Sequence, residues 1–454
     1  MPIRLTALLL TLTLTGCVTV NLAQPVNLPQ TTAAPHTEPT LTVDGDVVAL
    51  AFSGGGARAA AFSLGVLQGL REMPRARGGT LLDRVALVSG VSGGSITAAY
   101  FGQHGAAGVD TFRAAYLDKN WEYDLHLNLA SPMNWARAYD GALNERDRLG
   151  DWLDKEIFQG ATLGDLWRPS RARTWINATD LYTGVPFAFV PAYFEALCSD
   201  YATVRVADAV AASMSVPVYF RPTVLASYAD RCTAPLPAWV EKAQRDRQTS
   251  ELLRATARAF AQYRNPRQVR YLHLVDGGVA DNFGLSNLIL MRRAATSPYG
   301  PFTPRDAVRV RRMTFLVVNA EQGRDEPWPL TPTGPSGPET LETAMDNAIN
   351  TSKQRAYDAF RDMIADWEAE LRRYRCTLPK REAARLAAGQ KNWNCRNVHF
   401  TVDMISFNDL SPTKAKTLAA TPTRVSLPAP TIDALIEGGR EAAKANPAAQ
   451  AMQR

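Results

Sequence analysis

Twice in succession, a short apolar segment is followed by a glycine-rich turn and then by a helical pattern. The first unit comprises Val47–Phe52, Gly54–Gly56 and Ala57–Arg71, and the second comprises Arg84–Ser89, Gly90–Gly94 and a helix from Ser95. Strands that alternate with helices in this way build βαβ units, whose strands lie parallel in one sheet. The chain is therefore predicted to be an α/β protein with a mainly parallel central sheet.

The remaining patterns extend this alternation of strands and helices. Further strands are predicted at Thr174–Thr179, Pro186–Val190, Val269–Val275, Thr314–Asn319 and Asn397–Ile405. Helices are predicted at Arg148–Phe158, Val204–Ser213, Pro237–Tyr263, Leu285–Ala295 and Pro338–Tyr374. The 454 residues, of which 46% are apolar, suffice for one large α/β domain with insertions or for two domains. The net charge of +6 is too small to indicate a nucleic-acid partner.

The N-terminal segment has the features of an export signal. The apolar run Leu5–Leu14 is shorter than the ~20 residues of a membrane-spanning helix and is typical of a signal peptide. It ends in Leu14-Thr15-Gly16-Cys17, which resembles the lipobox of bacterial lipoproteins; an ordinary signal peptide is the alternative. We therefore expect a signal peptide over 1–16, and a lipidated Cys17 with a flexible Pro- and Thr-rich tether over 17–45. The expected location is the cell envelope, anchored by lipid to the outer membrane.

Gly90-Val91-Ser92-Gly93-Gly94 lies between a predicted strand and a predicted helix. A serine nucleophile needs a sharp turn at this place, and glycines on both sides allow the strand and the helix to approach closely. The helix N-terminus also favours negative charge developing beside Ser92. The alternative is a glycine-rich turn that only packs.

Two further segments place groups suited to catalysis at the ends of predicted strands. Gly54, Gly55 and Gly56 expose backbone N–H groups at a helix start, which suits a phosphate or a tetrahedral oxyanion. Asp276 ends an apolar strand and precedes two glycines, where burial would raise its pKa and make it a usable base. The alternative for the three glycines is a tight turn without a catalytic role, and the alternative for Asp276 is an aspartate that only caps the turn.

Together, Gly54–Arg58, Gly90–Gly94 and Asp276–Gly278 resemble the three ordered motifs of the patatin-like phospholipase family. Asn177–Asp180 and Ala212–Phe220 match supporting stretches of that family. The resemblance covers about Val47 to Asn319 and implies a three-layer α/β/α patatin-like fold. We expect the catalytic domain over 46–325 and a C-terminal extension packed on it over 326–454. The stretch Cys232–Arg264 is an insertion relative to the family pattern, which leaves the shape of the site entrance open.

The resemblance also implies a mechanism without cofactor or metal. Ser92 would attack an ester of a membrane lipid, and Asp276 would accept its proton. The oxyanion hole would come from the backbone of the glycine loop and of the residue after the nucleophile, and Arg58 would support that loop. The residues implied for the oxyanion hole are Gly54, Gly55, Gly56 and Gly93.

Two other functions are compatible with the same residues. Ser92, Asp276 and His399 have the chain order of a Ser–Asp–His α/β-hydrolase, although His399 lies in the middle of a predicted strand. A non-catalytic envelope lipoprotein that binds lipid or a partner is the second alternative.

Four cysteines remain beside Cys17, and no Cys-x-x-Cys or Cys/His cluster indicates a metal site. Export favours disulfides, and four cysteines allow three pairings. The pairing Cys198–Cys232 and Cys376–Cys395 closes the shortest loops and is the one that we predict. The oligomeric state cannot be inferred from the sequence.

Overall fold

The apolar segments that were predicted to be strands lie in one central sheet. The computed structural model describes residues 24–31, 45–120, 148–167, 172–217, 219–232, 235–323, 328–390 and 392–454, so the predicted signal peptide and Cys17 lie outside the described residues. The strands are β1 Gly45–Phe52, β2 Val85–Val91, β3 Arg173–Asp180, β4 Pro186–Ala188, β5 Thr223–Ala226, β6 Tyr271–Asp276, β7 Val310–Asn319 and β8 His399–Ser406.

The strand order is β5-β6-β3-β2-β1-β7-β8, with β4 paired to β3. The five strands from β3 to β8 in this order are parallel, whereas β6 is antiparallel to β3 and to β5. Every residue of β1 is buried, as expected for a central parallel strand that is covered on both faces. The prediction of a mainly parallel sheet is confirmed, and the antiparallel edge is an addition to it.

Helices cover both faces of the sheet. They are α1 Gly56–Arg71, α2 Gly93–His104, α3 Gly108–Phe112, α4 Arg148–Leu153, α5 Leu163–Leu166, α6 Pro191–Ala196, α7 Val206–Ser213, α8 Ala238–Arg245, α9 Glu251–Tyr263, α10 Gly278–Asp281, α11 Ser286–Ala294, α12 Pro304–Arg309, α13 Gly337–Thr377, α14 Lys380–Leu386, α15 Pro412–Ala419, α16 Ala429–Ala445 and α17 Pro447–Gln453.

The three-layer α/β/α arrangement follows from how these helices pack. On one face, α1 packs against α2 and α16, and a Cβ atom at Gly65 would lie 2.0 Å from the carbonyl oxygen of Ile436. On the other face, Phe360 of α13 stacks edge-on against Phe315 of β7. No described helix combines the length and the apolar character that crossing a bilayer requires.

The structure differs from the predicted secondary structure in the helix predicted over Pro237–Tyr263, in the edge strand β5 and in the helices α14 to α17, which were not predicted. The helix predicted over Pro237–Tyr263 is interrupted between α8 and α9, because the Asp246 carboxylate accepts hydrogen bonds from the Gln248 N–H and the Thr249 hydroxyl. Ser250 then caps α9 by accepting from the Leu253 N–H. The edge strand β5 was not predicted at all, because its four residues carry no clear strand pattern.

Residues 24–31, inside the predicted flexible tether, are bound to the body of the protein. The Asn27 side chain donates to the Ala226 carbonyl at 2.9 Å and accepts from the Ala226 N–H at 2.7 Å. It also donates to Ser199 Oγ at 2.8 Å, and its exposed fraction is 1%. The amide of Asn27 thus pairs with a strand that is 199 residues away in sequence.

Both predicted disulfides are present. Cys198 pairs with Cys232 and Cys376 pairs with Cys395, with Cα–Cα distances of 5.5 and 4.9 Å. The first bond lies next to the segment that binds residues 24–31, since the Gln30 N–H donates to the Cys198 carbonyl. The second joins the end of α13 to the segment before β8.

Candidate active site

Ser92 occupies the turn between β2 and α2 in a strained backbone conformation. Its φ of 50° and ψ of −125° lie in a region that non-glycine residues rarely adopt. The Ser92 N–H donates to Ser213 Oγ at 2.9 Å, and the Ser92 carbonyl accepts from Ser95 Oγ at 2.6 Å. Hydrogen bonds on both sides of the peptide therefore hold the turn, which places the Ser92 side chain at the carboxyl end of the parallel strands.

The two glycine-rich turns touch each other at Gly93. A Cβ atom at this position would lie only 2.0 Å from the Gly56 carbonyl oxygen, so no other residue fits without moving the backbone. The start of α2 is thereby packed against the start of α1. The backbone N–H groups of both helix N-termini consequently lie beside Ser92.

Asp276 lies at the end of β6 and is nearly inaccessible, with an exposed fraction of 6%. Burial raises the pKa of its carboxyl to about 6, while hydrogen bonds from the Gly278 N–H and the Ser92 side chain act to lower it. The Gly278 N–H lies 2.8 Å from Asp276 Oδ1. The structure therefore brings Ser92 and Asp276 together and leaves the carboxylate able to exchange a proton near neutral pH.

β3 separates the strands that carry these two residues and supports both of them. The Thr179 hydroxyl donates to the Asp276 carbonyl at 3.0 Å. The Asn177 carbonyl accepts from Ser213 Oγ at 2.6 Å, which is the same hydroxyl that accepts from the Ser92 N–H. Ser213, Asn177 and Thr179 lie in stretches that match the family, but no role was predicted for them. Polar residues within a buried strand were the signal for Asn177 and Thr179.

In the glycine loop, Gly54 differs from Gly55 and Gly56 because its backbone N–H is hydrogen-bonded within the protein. The Gly54 N–H donates to the Asn282 side-chain oxygen at 3.1 Å and to the Asn282 carbonyl at 3.2 Å. Within the part of the chain that the structure describes, no hydrogen bond is made by the N–H groups of Gly55, Gly56 or Gly93. These three groups are thus the donors near Ser92 that could bind an oxyanion.

Arg58 is buried behind the glycine loop, with an exposed fraction of 3%. Its guanidinium donates to the carbonyl oxygens of Ala320 at 2.8 Å and Thr421 at 2.6 Å, and to Gln322 Oε1 at 3.2 Å. Burial lowers the pKa of Arg58 to about 10, which still leaves it charged at neutral pH. These contacts join α1 to the segment after β7 and to the C-terminal part of the chain.

His399 is far from Ser92 and Asp276. It begins β8, where it pairs with Arg312 of β7, and Arg312 in turn pairs with Asp46 at the start of β1. His399 therefore lies at the amino ends of the parallel strands, whereas Ser92 follows a carboxyl end. Its side chain is 70% exposed, and its Nδ1 lies 3.3 Å from Glu368. The geometry does not assemble the Ser–Asp–His triad that the chain order allowed.

The described residues contain no group of three or more His, Cys, Asp or Glu side chains that could hold a metal ion. The groups that the site presents around Ser92 are a hydroxyl, a buried carboxylate and three backbone N–H groups.

A family match covers the part of the chain that contains both Ser92 and Asp276. Residues 50–289, which are 240 of the 454 residues, match the family model described as Patatin-like phospholipase. A search of curated proteins gives no match. Among solved structures, human GIVD cytosolic phospholipase A2 is similar with 14% sequence identity and a TM-score of 0.31. That alignment covers 61% of this chain and 45% of the other, so the chain spans less than half the length of that protein.

Proposed function

The chain belongs to the patatin-like phospholipase family, and we propose that it is a lipid acyl hydrolase in which Ser92 and Asp276 form the catalytic dyad. The observation that carries the proposal is the contact between the Ser92 side chain and a buried carboxylate whose pKa is raised to about 6. A carboxylate with this pKa is ionised at neutral pH and still basic enough to accept a proton as the serine attacks.

In the first half of the reaction, Ser92 Oγ forms a bond to the ester carbonyl carbon and its proton moves to Asp276. The carbonyl oxygen becomes an oxyanion, and we assign its stabilisation to the N–H groups of Gly55, Gly56 and Gly93. Gly54 is left out of this set because its N–H donates to Asn282. The ester C–O bond then breaks, and the proton on Asp276 passes to the leaving alcohol.

In the second half, water replaces the alcohol. Asp276 accepts a proton from the water as its oxygen attacks the acyl carbon, and the same N–H groups hold the second oxyanion. The bond to Ser92 Oγ breaks, the proton returns to Ser92, and a fatty acid leaves. One carboxylate thus serves both halves, and no histidine is needed.

Exposed apolar side chains beside the site support a membrane lipid as substrate. Val216 follows Ser215, whose carbonyl accepts from the Asp276 N–H, and Val279 lies in α10, directly after the Asp276 turn. α13 contacts α10 because the Ser352 hydroxyl donates to the Ala280 carbonyl at 2.5 Å. We name as the apolar rim the residues Val216, Tyr219, Val279, Leu341 and Met345, which are 38–65% exposed.

Leu341 and Met345 belong to the rim because of helical periodicity. They precede Ser352 by 11 and 7 residues, which are three and two helical turns, so they lie on the face of α13 that meets α10. At 1.5 Å per residue, they extend about 16 and about 10 Å beyond that contact. This extension would bring apolar side chains to the lipid chains of a bilayer from which a substrate is taken.

The anchor at Cys17 is also a proposal. A lipid on Cys17 would leave residues 17–23 between the membrane and the segment bound by Asn27. Seven residues span at most about 25 Å when fully extended, so the β5 edge of the sheet would stay close to the membrane. Mass spectrometry of the mature N-terminus tests this, and an unmodified terminus or cleavage elsewhere than before Cys17 would refute it.

The experiment that tests the dyad compares Ser92→Ala with the unchanged chain on defined lipids. Loss of fatty-acid release and of labelling by a fluorophosphonate is expected for Ser92→Ala, and profiling of headgroups and acyl positions would then identify the substrate. Full labelling of Ser92→Ala would refute the assignment. His399→Ala is the matched control for the triad mechanism and should keep its rate within about twofold, because a loss of several orders of magnitude is what a triad predicts.

A further inference from the structure

Four arginines surround one buried carboxylate at the end of the sheet opposite to Ser92, and a fifth lies near one of the four. Asp46 is the second residue of β1, and its side chain is 1% exposed. Its Oδ2 lies 2.9 Å from Arg75 Nη2 and 2.8 Å from Arg312 Nη2. Arg77 and Arg311 approach the same carboxylate to 3.8 and 4.0 Å. These residues come from the loop after α1 and from β7, so the fold brings them together.

The positive charge in this cluster is not balanced. Burial lowers the pKa of Arg75, and the charge of the nearby Arg84 lowers it further, which adds a fifth guanidinium to the group. Arginine stays protonated in proteins, so the group carries five positive charges around the buried carboxylate of Asp46. Asp83, the neighbour of Arg84, adds a second carboxylate, which accepts from the Thr80 N–H and hydroxyl. The five guanidiniums and these two carboxylates leave an excess of about three positive charges.

Several donors in the cluster also lack an acceptor. The side chain of Arg75 is only 4% exposed, yet its Nε and Nη1 make no hydrogen bond. The Nε atoms of Arg84 and Arg311 are likewise buried without a partner. Buried donors without an acceptor are rare in folded proteins and indicate a bound group that would accept from them. The planar fork of a guanidinium matches the oxygens of a phosphate group better than it matches a halide.

We propose that the arginine cluster formed by Arg75, Arg77, Arg84, Arg311 and Arg312 binds a phosphate group. Arg77 and Arg311 are 53% and 34% exposed and form the accessible side of the site, while Arg75 lies beneath them. From Asp46 to Phe52, the strand β1 rises by roughly 20 Å before it reaches the glycine loop. The phosphate bound here is therefore not that of the lipid being cleaved at Ser92.

Free phosphate and the phosphomonoester headgroup of a lipid share this chemistry, and two experiments separate them. In the first, inorganic phosphate is titrated into the full chain while unfolding temperature and binding heat are measured, with sodium chloride of equal ionic strength as reference. The variant Arg77→Gln/Arg311→Gln removes two accessible cations and keeps both close partners of Asp46. We expect phosphate to raise the unfolding temperature of the unchanged chain and to bind the variant at least tenfold more weakly.

The control Arg267→Gln/Arg381→Gln removes two exposed arginines outside the cluster and should respond to phosphate like the unchanged chain. Hydrolysis of a short-chain soluble ester should be equal in all three proteins, which shows that each is folded. Equal responses to phosphate in the cluster variant and the control would mean a general salt effect and would overturn the proposal.

The second experiment uses phosphatidylcholine vesicles with and without phosphatidic acid, and both proteins carry Ser92→Ala so that no lipid is consumed. Capture that requires phosphatidic acid and is lost in Arg77→Gln/Arg311→Gln identifies a lipid headgroup as the ligand. Binding of inorganic phosphate without such capture identifies a small soluble phosphate. If neither inorganic phosphate nor phosphatidic acid binds in an arginine-dependent way, the proposal is wrong.

Discussion

Ser92 and Asp276 interact across a strand that belongs to neither of them. Ser92 follows β2 and Asp276 ends β6, and β3 lies between these two strands in the sheet. Because β6 is antiparallel to β3, with Asp276 opposite Ala178, the carboxylate is brought back toward the turn that carries Ser92. The Ser213 hydroxyl, which accepts from the Ser92 N–H and donates to the Asn177 carbonyl, links the turn to β3. The proposed dyad therefore depends on a reversal of strand direction at the edge of the parallel sheet.

The first prediction concerns the pH dependence of catalysis. Asp276 acts as a base only when it is ionised, and burial raises the pKa of its carboxyl to about 6. We expect kcat/KM for a soluble ester to rise with pH and to reach half its plateau near pH 6. Asp276→Asn should have no measurable rate at any pH. A half-maximum near pH 4, the ordinary range for an aspartate, would contradict the burial argument.

The second prediction concerns the stability of the same variant. The pKa of Asp276 is about 6 in the folded state and 3.8 in its ordinary state, so the folded protein disfavours the ionised form. The stability of the unchanged chain relative to Asp276→Asn should fall as pH rises from about 4 to about 6. Between pH 4 and pH values above 6, the stability difference should shift in favour of the variant by up to about 3 kcal/mol. Denaturant unfolding at pH 4 and pH 7 measures the difference, and an equal difference at both pH values would refute it.

The third prediction follows from the backbone of Ser92. Its φ of 50° and ψ of −125° are accessible to glycine but strained for any residue with a Cβ atom, at about 1–3 kcal/mol. Ser92→Gly should therefore be more stable to unfolding than Ser92→Ala, although both lose hydrolysis. The usual order is the reverse, since glycine is normally destabilising through its greater freedom in the unfolded chain. Finding alanine to be the more stable variant would show that the turn is not strained in solution.

Local patterns predicted much of the fold and the residues at the strand ends. The turns around Gly54, Ser92 and Asp276 are each encoded within a few residues, and so are the strands that precede them. What holds these turns together involves partners that are distant in sequence, which no local pattern reveals. Ser92 and Ser213 are 121 residues apart, and Gly54 and Asn282 are 228 apart. For the same reason the sequence could not show that Gly54 uses its N–H on Asn282 or that Asn27 binds β5.

The fourth prediction concerns the disulfides. Bonds that close loops of 34 and 19 residues restrict the unfolded chain, and the chain-entropy relation gives about 4 and about 3 kcal/mol of stabilisation. We expect Cys376→Ser/Cys395→Ser to lower the free energy of unfolding by about 3 kcal/mol and to leave the rate on a soluble ester unchanged, since neither residue contacts the dyad. Unchanged stability, or a rate that falls as the bond is removed, would count against this separation.

The fifth prediction tests whether the apolar rim admits lipid to the site. Leu341 and Met345 are 65% and 49% exposed near the N-terminus of α13. Replacing both with glutamine keeps good helix formers and removes the apolar surface that would contact acyl chains. Hydrolysis of phospholipid in vesicles should fall at least tenfold, while kcat/KM for a short-chain soluble ester should stay the same, because the dyad is untouched. A loss of the same size in both assays would indicate damage to the catalytic turn through the contact between Ser352 and Ala280. Unchanged hydrolysis of vesicles would show that lipid reaches Ser92 by another route, leaving the dyad itself intact.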